Sequence, residues 1–373
     1  MSSPESNLVA LIMAGGVGTR FWPLSTPEKP KQFIQLFDDC SLLQKSYDRV
    51  AGLVAAERIM VLTNANHVGL VREQLPQLPE ENVIGEPERK DTAAAICLGA
   101  LLAKKRFGDP VMSVLTADHL IEPVGLFQQT MLSAARYARA TGALYTFGIR
   151  PTHPSTGYGY LELGEKLAED AGISHCRVTS FREKPDAETA AGYLESGRYL
   201  WNSGMFVWTT EAILAELGRH LPAHVRYLSS AVEVAGTAQW EAALCDAFAA
   251  LERISIDFGV MERARDVRCV AGQFSWTDVG GWLAIQHLAA PDADGNYVRG
   301  RVYPLHAQGN LVFCRQPEET VALVGVSNLV VVRVGETTLV AHRDRLEDVK
   351  QVVEGMLSQP PDRPIADSAP PDM

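Results

Sequence analysis

The apolar opening of the chain gives way to LIMAGGVGTR, from Leu11 to Arg20, and a lysine, Lys31, follows inside PKQ. Gly15, Gly16, Gly18 and Thr19 form a turn of small residues whose exposed backbone N–H groups can surround a phosphate. Arg20 adds a planar fork of donors suited to phosphate oxygens. The turn fits neither common nucleotide motif. The dinucleotide fingerprint needs a third glycine where Phe21 stands, and G-x-x-x-x-G-K-[ST] has no match here. Lys31 lies in a loop that Pro23, Pro27 and Pro30 restrict. Such a loop can hold two cations over one triphosphate. At an effective dielectric near 20, unit charges about 4 Å apart interact by roughly 4 kcal/mol. Repulsion of that size opposes an anionic nucleophile approaching an anionic phosphate, so two cations and a metal would help it.

Two carboxylates suit the metal. VMSVLTADH, from Val111 to His119, reads as an apolar strand ending in Asp118. In open α/β sheets, ligands bind at the carboxyl ends of strands. Asp278, in FSWTDVGGW, is flanked by small and aromatic residues, as in a close-packed pocket. Two aspartates with phosphate oxygens and water make a Mg²⁺ site of hard ligands. That Asp118 and Asp278 meet is an expectation. His119 is read as structural, since one His beside an Asp is not a zinc site. Trp201, Trp276 and Trp282 are read as core before stacking surfaces. Tyr158 and Tyr160 flank Gly159 and would share a face of a regular strand unless Gly159 marks a bulge. Asp257, in SIDFGVME, is open between a structural cap and a chemical role.

The elements that must position these residues follow from pattern. Leu8 to Met13, Arg58 to Thr63 and Pro110 to Thr116 are short apolar runs with little alternation, as in buried parallel strands. SLLQ from Ser41 fits a capping box that opens a helix to about Val50. DTAAAICLGALLAKK predicts a helix with Asp91 as its N-cap, and Val124 to Ala140 has helical spacing. The alternation implies a doubly wound α/β sheet. From about Tyr145 to Trp208 the chain reads as strand-rich, and Thr209 to Arg265 as mainly helical. After PDADGN come short β runs at Leu311–Cys314, Val321–Val326, Leu329–Val334 and Thr337–Ala341. A β-helical stack is conceivable there, although no clean repeat stands out. The expected organisation is an α/β domain over 1–290, a small β-rich domain over 291–357 and a disordered tail over 358–373.

Composition narrows the class. The chain has 373 residues, 46% hydrophobic and 21% charged, an ordinary globular balance. A formal charge of −11 with no basic face or tail argues against nucleic-acid binding. No window is apolar enough to span a membrane. The first apolar run is too short for a signal-peptide core. The six scattered cysteines lack metal-like spacing and read as free thiols in a reducing compartment, so a cytoplasmic location is expected.

Taken in order, AGGVGTR, PKQ, EPERKDTAAAI, ADH, TGYGY, FREKPD, WNSGM, SIDFGVME and WTDVG resemble the sugar-nucleotide pyrophosphorylases, from Leu11 to about Ala341. PKQ and WNSGM favour the branch that joins GTP to mannose 1-phosphate. The chain departs from the family pattern at Asp91, where Asn is expected, and at Ala94, often Pro. The resemblance implies a Rossmann-like nucleotidyltransferase domain of glycosyltransferase-A type, and GMP transfer from GTP to mannose 1-phosphate with Mg²⁺. It further implies that Gly15, Gly16, Gly18 and Thr19 line the phosphate loop, that Arg20 and Lys31 hold the triphosphate, and that Glu86, Asp91 and Thr92 lie near base and ribose. Gly159, Glu183, Lys184 and Asn202 would hold the sugar phosphate, and Asp118 and Asp278 the Mg²⁺. A homodimer is expected. Some family members carry a further isomerase domain; this chain is read as transferase only. Two alternatives stay open: the same chemistry on another nucleotide and sugar phosphate, such as ATP or dTTP with glucose 1-phosphate, and a catalytically silent regulatory subunit.

Overall fold

Every residue of Leu8–Ala14 except Met13 is buried. A strand covered on both faces requires this, and its parallel neighbours are Ile59–Asn64 and Val111–Thr116. The three runs expected to be buried parallel strands are therefore neighbours in one sheet. In this computed structural model the described residues are 7–16, 18–288 and 290–358. Numbered along the chain, the first strands are β1 (Leu8–Ala14), β2 (Ile59–Asn64), β3 (Val83–Glu86), β4 (Val111–Thr116), β5 (Leu120–Glu122) and β6 (Leu144–Ile149). They continue with β7 (Gly159–Asp170), β8 (Ile173–Arg182), β9 (Tyr199–Thr209), β10 (Val267–Ala271) and β11 (Ser275–Thr277).

The main sheet runs β3-β2-β1-β4-β9-β6-β10-β8-β7. Its first four strands are parallel. β9 is antiparallel to both β4 and β6, and β10 is parallel to β6. A Rossmann-like half thus continues into a mixed half. β5 and β11 pair as a separate antiparallel ribbon. The alanine-rich helix Asp91–Phe107 buries its run from Ala93 to Ala100 in the main apolar core, which also holds Leu11, Met60 and Val114. The box expected at Ser41 is present: Ser41 Oγ accepts from the Gln44 N–H, and the Gln44 side chain accepts from the Ser41 N–H.

Three local expectations need correction. Asp91 is not the N-cap of its helix. It is the first helical residue, at φ 67°, after Lys90, and its carboxylate accepts from the adjacent Thr92 N–H at 2.9 Å. The Ala93 N–H of that first turn goes to Ile254 O instead. The strand-rich stretch also contains an unforeseen helix, Ala187–Ser196, whose N-cap Asp186 accepts from the Thr189 N–H. The region read as β ends in a helix, Val349–Ser358. Of the expected tail, all but Ser358 lies outside the described residues.

The chain divides into two compact units that do not follow its order. The first gathers the residues up to Gly16 with Asp38–Asp278 and holds β1 to β11. The second gathers Val17–Phe37 with the chain from Val279 onward. Its strands are β12 (Tyr297–Arg299), β13 (Arg301–Leu305), β14 (Leu311–Cys314), β15 (Thr320–Val324), β16 (Leu329–Val334) and β17 (Thr337–His342). β12, β14 and β16 stack in parallel, as do β13 and β15, and β17 closes the first stack antiparallel. This is the β-helical arrangement that was conceivable from the strand lengths. Asparagines hold one corner: the Asn310 backbone N–H and Nδ2 both donate to Asn296 Oδ1, and Asn310 Oδ1 accepts from the Leu329 N–H. Within the same unit Trp282 is core, packed between Phe21 and Phe313, with Nε1 donating to Trp22 O. No helix among the described residues is long and apolar enough to cross a membrane.

Candidate functional site

In the first unit a short ribbon sets two aspartates that are distant in sequence at the same end of one strand pair. Thr277 of β11 is the partner of Leu120 of β5. Asp278 immediately follows that pair and Asp118 lies two residues before it on the other strand, so both residues stand at one end of the ribbon. Trp276 Nε1–H donates to His119 Nδ1 at 3.0 Å. An indole only donates, so Nδ1 must accept and the imidazole keeps its proton on Nε2. That nitrogen lies 3.9 Å from Asp118 Oδ1. On the other strand the Tyr158 hydroxyl donates to Asp278 Oδ1 at 2.9 Å. Burial, followed by the Asp278 charge, raises the Tyr158 phenol well above its usual range, so it stays a donor.

The same end of the unit carries a cleft lined by Tyr158, Gly159, Glu183, Lys184, Asn202 and Asp278, with His119, Asp257 and Trp276. β7 begins at Gly159, so Tyr158 lies outside the strand and is not bound by its alternation. Tyr158 faces the cleft, whereas Tyr160 is buried with its hydroxyl on Ser155 O. Gly159 is the register partner of Asn202 on β9. A Cβ at Gly159 would stand 2.4 Å from Glu183 Oε2 and 3.3 Å from Asn202 Cβ. Only glycine admits the carboxylate there. Burial raises the Glu183 carboxyl, against the lowering effect of Lys184. Lys184 Nζ lies 3.2 Å from Glu183 Oε1, with the lysine side chain 60% exposed and the carboxylate 11%. The pair therefore presents a cation at the mouth and an acceptor inside. Trp201 and Trp276 each meet the Tyr158 ring edge-on, at 5.0 and 5.3 Å; Tyr158 and Trp276 form an aromatic wall of the cleft, and Trp201 is core.

Farther along the sheet, Gly15 follows β1. A Cβ on it would lie 3.7 Å from Glu86 Oε2, so loop and carboxylate are neighbours. Glu86 is partly exposed by area, yet protein surrounds its carboxyl closely, and burial pushes it up to about 8. Arg89 lowers it and Asp91 raises it further. Thr92 accepts from the Ile256 N–H at 2.8 Å and ties the start of its helix to the segment before Asp257.

In the second unit, Gly18 sits at φ 61° with Lys31 against it; a Cβ there would come within 2.5 Å of Lys31 Cβ. Thr19 and Arg20 begin a short turn. Lys31 Nζ donates to Val279 O at 3.1 Å, and Arg20 Nη2 lies 2.8 Å from Glu347 Oε2.

Sequence reasoning set two cleft residues aside. His119, read as structural, touches Asp118. Asp257, left open, bonds a cleft side chain: its Oδ1 accepts from Asn202 Nδ2 at 2.9 Å. The available signal was an acid inside the apolar run SIDFGV. For a metal, the donor set is two carboxylates. Among the described residues no group of three or more His, Cys, Asp and Glu could hold an ion. That set fits Mg²⁺, which uses one or two carboxylates and keeps positions for water and phosphate oxygens.

Known proteins resemble this chain over most of its length. Residues 9–294 match the Nucleotidyl transferase family, and residues 300–356 match the MannoseP isomerase/GMP-like beta-helix domain. An Escherichia coli protein named mannose-1-phosphate guanylyltransferase is 40% identical over 93% of this chain and 73% of its own length. The xanthan biosynthesis protein XanB of Xanthomonas campestris is 39% identical over 95% of this chain and 74% of its own. Among solved structures, a Thermus thermophilus protein described as a mannose-1-phosphate geranyltransferase superposes with a TM-score of 0.83. That pair is 34% identical and covers 94% of this chain and 99% of the other.

Proposed function

We infer the working of the site from one premise: the chain belongs to the nucleotidyl transferase family, among the mannose-1-phosphate guanylyltransferases. Its reaction is transfer of GMP from GTP to mannose 1-phosphate, giving GDP-mannose and pyrophosphate. A phosphate oxygen of the sugar phosphate attacks the α-phosphorus in line, the bond to the bridging oxygen breaks, and pyrophosphate leaves. A sugar phosphate is already ionised at neutral pH, so no general base is required. Catalysis rests on positioning and charge neutralisation.

In this reading the cleft of the first unit takes mannose 1-phosphate. Glu183 and Asn202 hold the sugar over Gly159. Lys184 exchanges its contact with Glu183 for the substrate phosphate. Gly15, Gly16, Gly18 and Thr19 offer backbone N–H groups to the nucleotide's phosphates, and Arg20 and Lys31 neutralise the triphosphate. Glu86, Asp91 and Thr92 lie along the base and ribose. Asp118 and Asp278 hold Mg²⁺, with His119 and Tyr158 setting the two carboxylates. When bound, the ion supplies charge neutralisation to phosphate oxygens. The enzyme is proposed to act as a homodimer in the cytoplasm.

The observation that carries this reading is the meeting of Gly159, Glu183, Lys184, Asn202 and Asp278 around one cleft. The test is a coupled pyrophosphate assay with GTP and mannose 1-phosphate, with and without Mg²⁺, against ATP, dTTP and glucose 1-phosphate. Release confined to GTP with mannose 1-phosphate, dependent on Mg²⁺ and lost in Asp278→Ala, is expected. Equal rates without Mg²⁺ and in that variant would remove the metal assignment.

A further inference from the structure

Asp257 opens a turn that does not need its side chain. The backbone closes Asp257–Met261 through the Gly259 N–H on Ser255 O at 2.9 Å and the Glu262 N–H on Asp257 O at 3.0 Å. Beyond its own N–H, the carboxyl turns to the cleft. Asn202, its partner, is pinned at both ends of its amide. Oδ1 accepts from the buried Thr146 hydroxyl at 2.8 Å and from the Gly204 N–H at 3.3 Å. A backbone N–H only donates, so the amide oxygen must face Gly204 and the NH₂ must face Asp257. Asn202 can satisfy this only while Asp257 is there to accept.

Glu183 approaches the same point from the other side, over the missing Cβ of Gly159. Its segment is tied to the Asp257 turn, because the Glu183 N–H donates to Glu262 Oε1. Burial and then the neighbouring Glu183 charge push the Asp257 carboxyl up to about 7, and both acids line the same cleft. Two carboxyls and an oriented amide, side by side in an aromatic-walled cleft, match a ligand with several adjacent hydroxyls. A phosphate would be repelled by them, so it belongs at the Lys184 end.

We propose that Asp257 reads the sugar: it fixes the Asn202 amide and, with Glu183, accepts hydrogen bonds from hydroxyls of the hexose ring, so that an epimer with one of them inverted binds less well. This deepens the functional reading above and rests on it.

The test uses the full chain with Asp257→Ala and the isosteric Asp257→Asn, GTP saturating, and mannose 1-phosphate and glucose 1-phosphate varied. For Asp257→Ala, KM for mannose 1-phosphate should rise about tenfold or more while KM for GTP stays within about twofold, and the kcat/KM preference for mannose over glucose should shrink. Asp257→Asn keeps an acceptor for Asn202 and should lose less. Calorimetric titration with mannose 1-phosphate alone should show the same order of affinity. Unchanged KM, unchanged sugar preference and unchanged affinity in both variants, with native circular dichroism, would overturn the assignment. Should Asp257→Ala fail to fold, wild-type sugar preference and affinity in Asp257→Asn would overturn it as well. If the wild-type chain released no pyrophosphate from GTP and mannose 1-phosphate, the functional reading itself would fail and this inference with it. A defect confined to Asp257 variants leaves that reading standing.

Discussion

Gly159 acts through the side chain it lacks. The Glu183 carboxylate occupies the place where a Cβ would stand. Gly159→Ala should displace that carboxylate and raise KM for mannose 1-phosphate about tenfold, as the loss of one charged hydrogen bond does. KM for GTP and the melting temperature should move little. Steady-state kinetics beside thermal melts check both. At Glu86 the expected signature is in stability. Its folded-state value of about 8 lies above that of an unfolded carboxyl. Between the two, the folded state holds the proton that the unfolded state has lost, so this group's contribution to stability falls as pH rises toward 8. Glu86→Gln should therefore gain melting temperature relative to wild type at pH 8.5, with a smaller difference near pH 5. A gap that does not widen with pH would contradict this. Glycines and charged side chains of the motifs were legible in the sequence because turn and ligand chemistry restrict residue type. Asp257 was not, because an acid opening a turn also looks like a cap. Its partner Asn202 is far away in the chain.

At the scale of elements, the short ribbon of β5 and β11 matters more than its length suggests. It brings strand ends that lie far apart in sequence into one ladder, and the Trp276 bond to His119 stitches its two sides. Trp276→Phe keeps an aromatic ring but removes that bond, at a cost of about 1 kcal/mol in stability. The variant should also need more Mg²⁺ for half-maximal pyrophosphate release, read from a metal titration. The buried apolar strands and the Ser41 box were evident from the sequence, since burial on both faces and capping leave local marks. The ribbon left none, as three-residue strands carry no period and their pairing is non-local. The start of β7 at Gly159 was equally hidden, and it decides that Tyr158 turns to the cleft while Tyr160 turns to the core.

Across the whole chain, the second unit owes its corner to asparagines that repeat loosely, in DGNYV and QGNLV. A third, VSNLV, follows at a wider spacing than separates the first two, which is why no clean repeat could be seen. Asn310 is fully buried and bonds to Asn296, Val326 O and the Leu329 N–H. Asn310→Ala strands several of those groups and should cost about 3 kcal/mol, measurable by denaturant unfolding. The assembly of the unit from two separated stretches also has a genetic corollary. A stop codon after residue 290 would still encode Arg20 and Lys31, yet it would delete the strands on whose unit the stretch around them is built, including Phe313, the far neighbour of the Phe21 and Trp282 pair. The carboxy-terminal quarter is thus no detachable appendage: shortened genes should yield protein whose early motif is intact in letters and homeless in space.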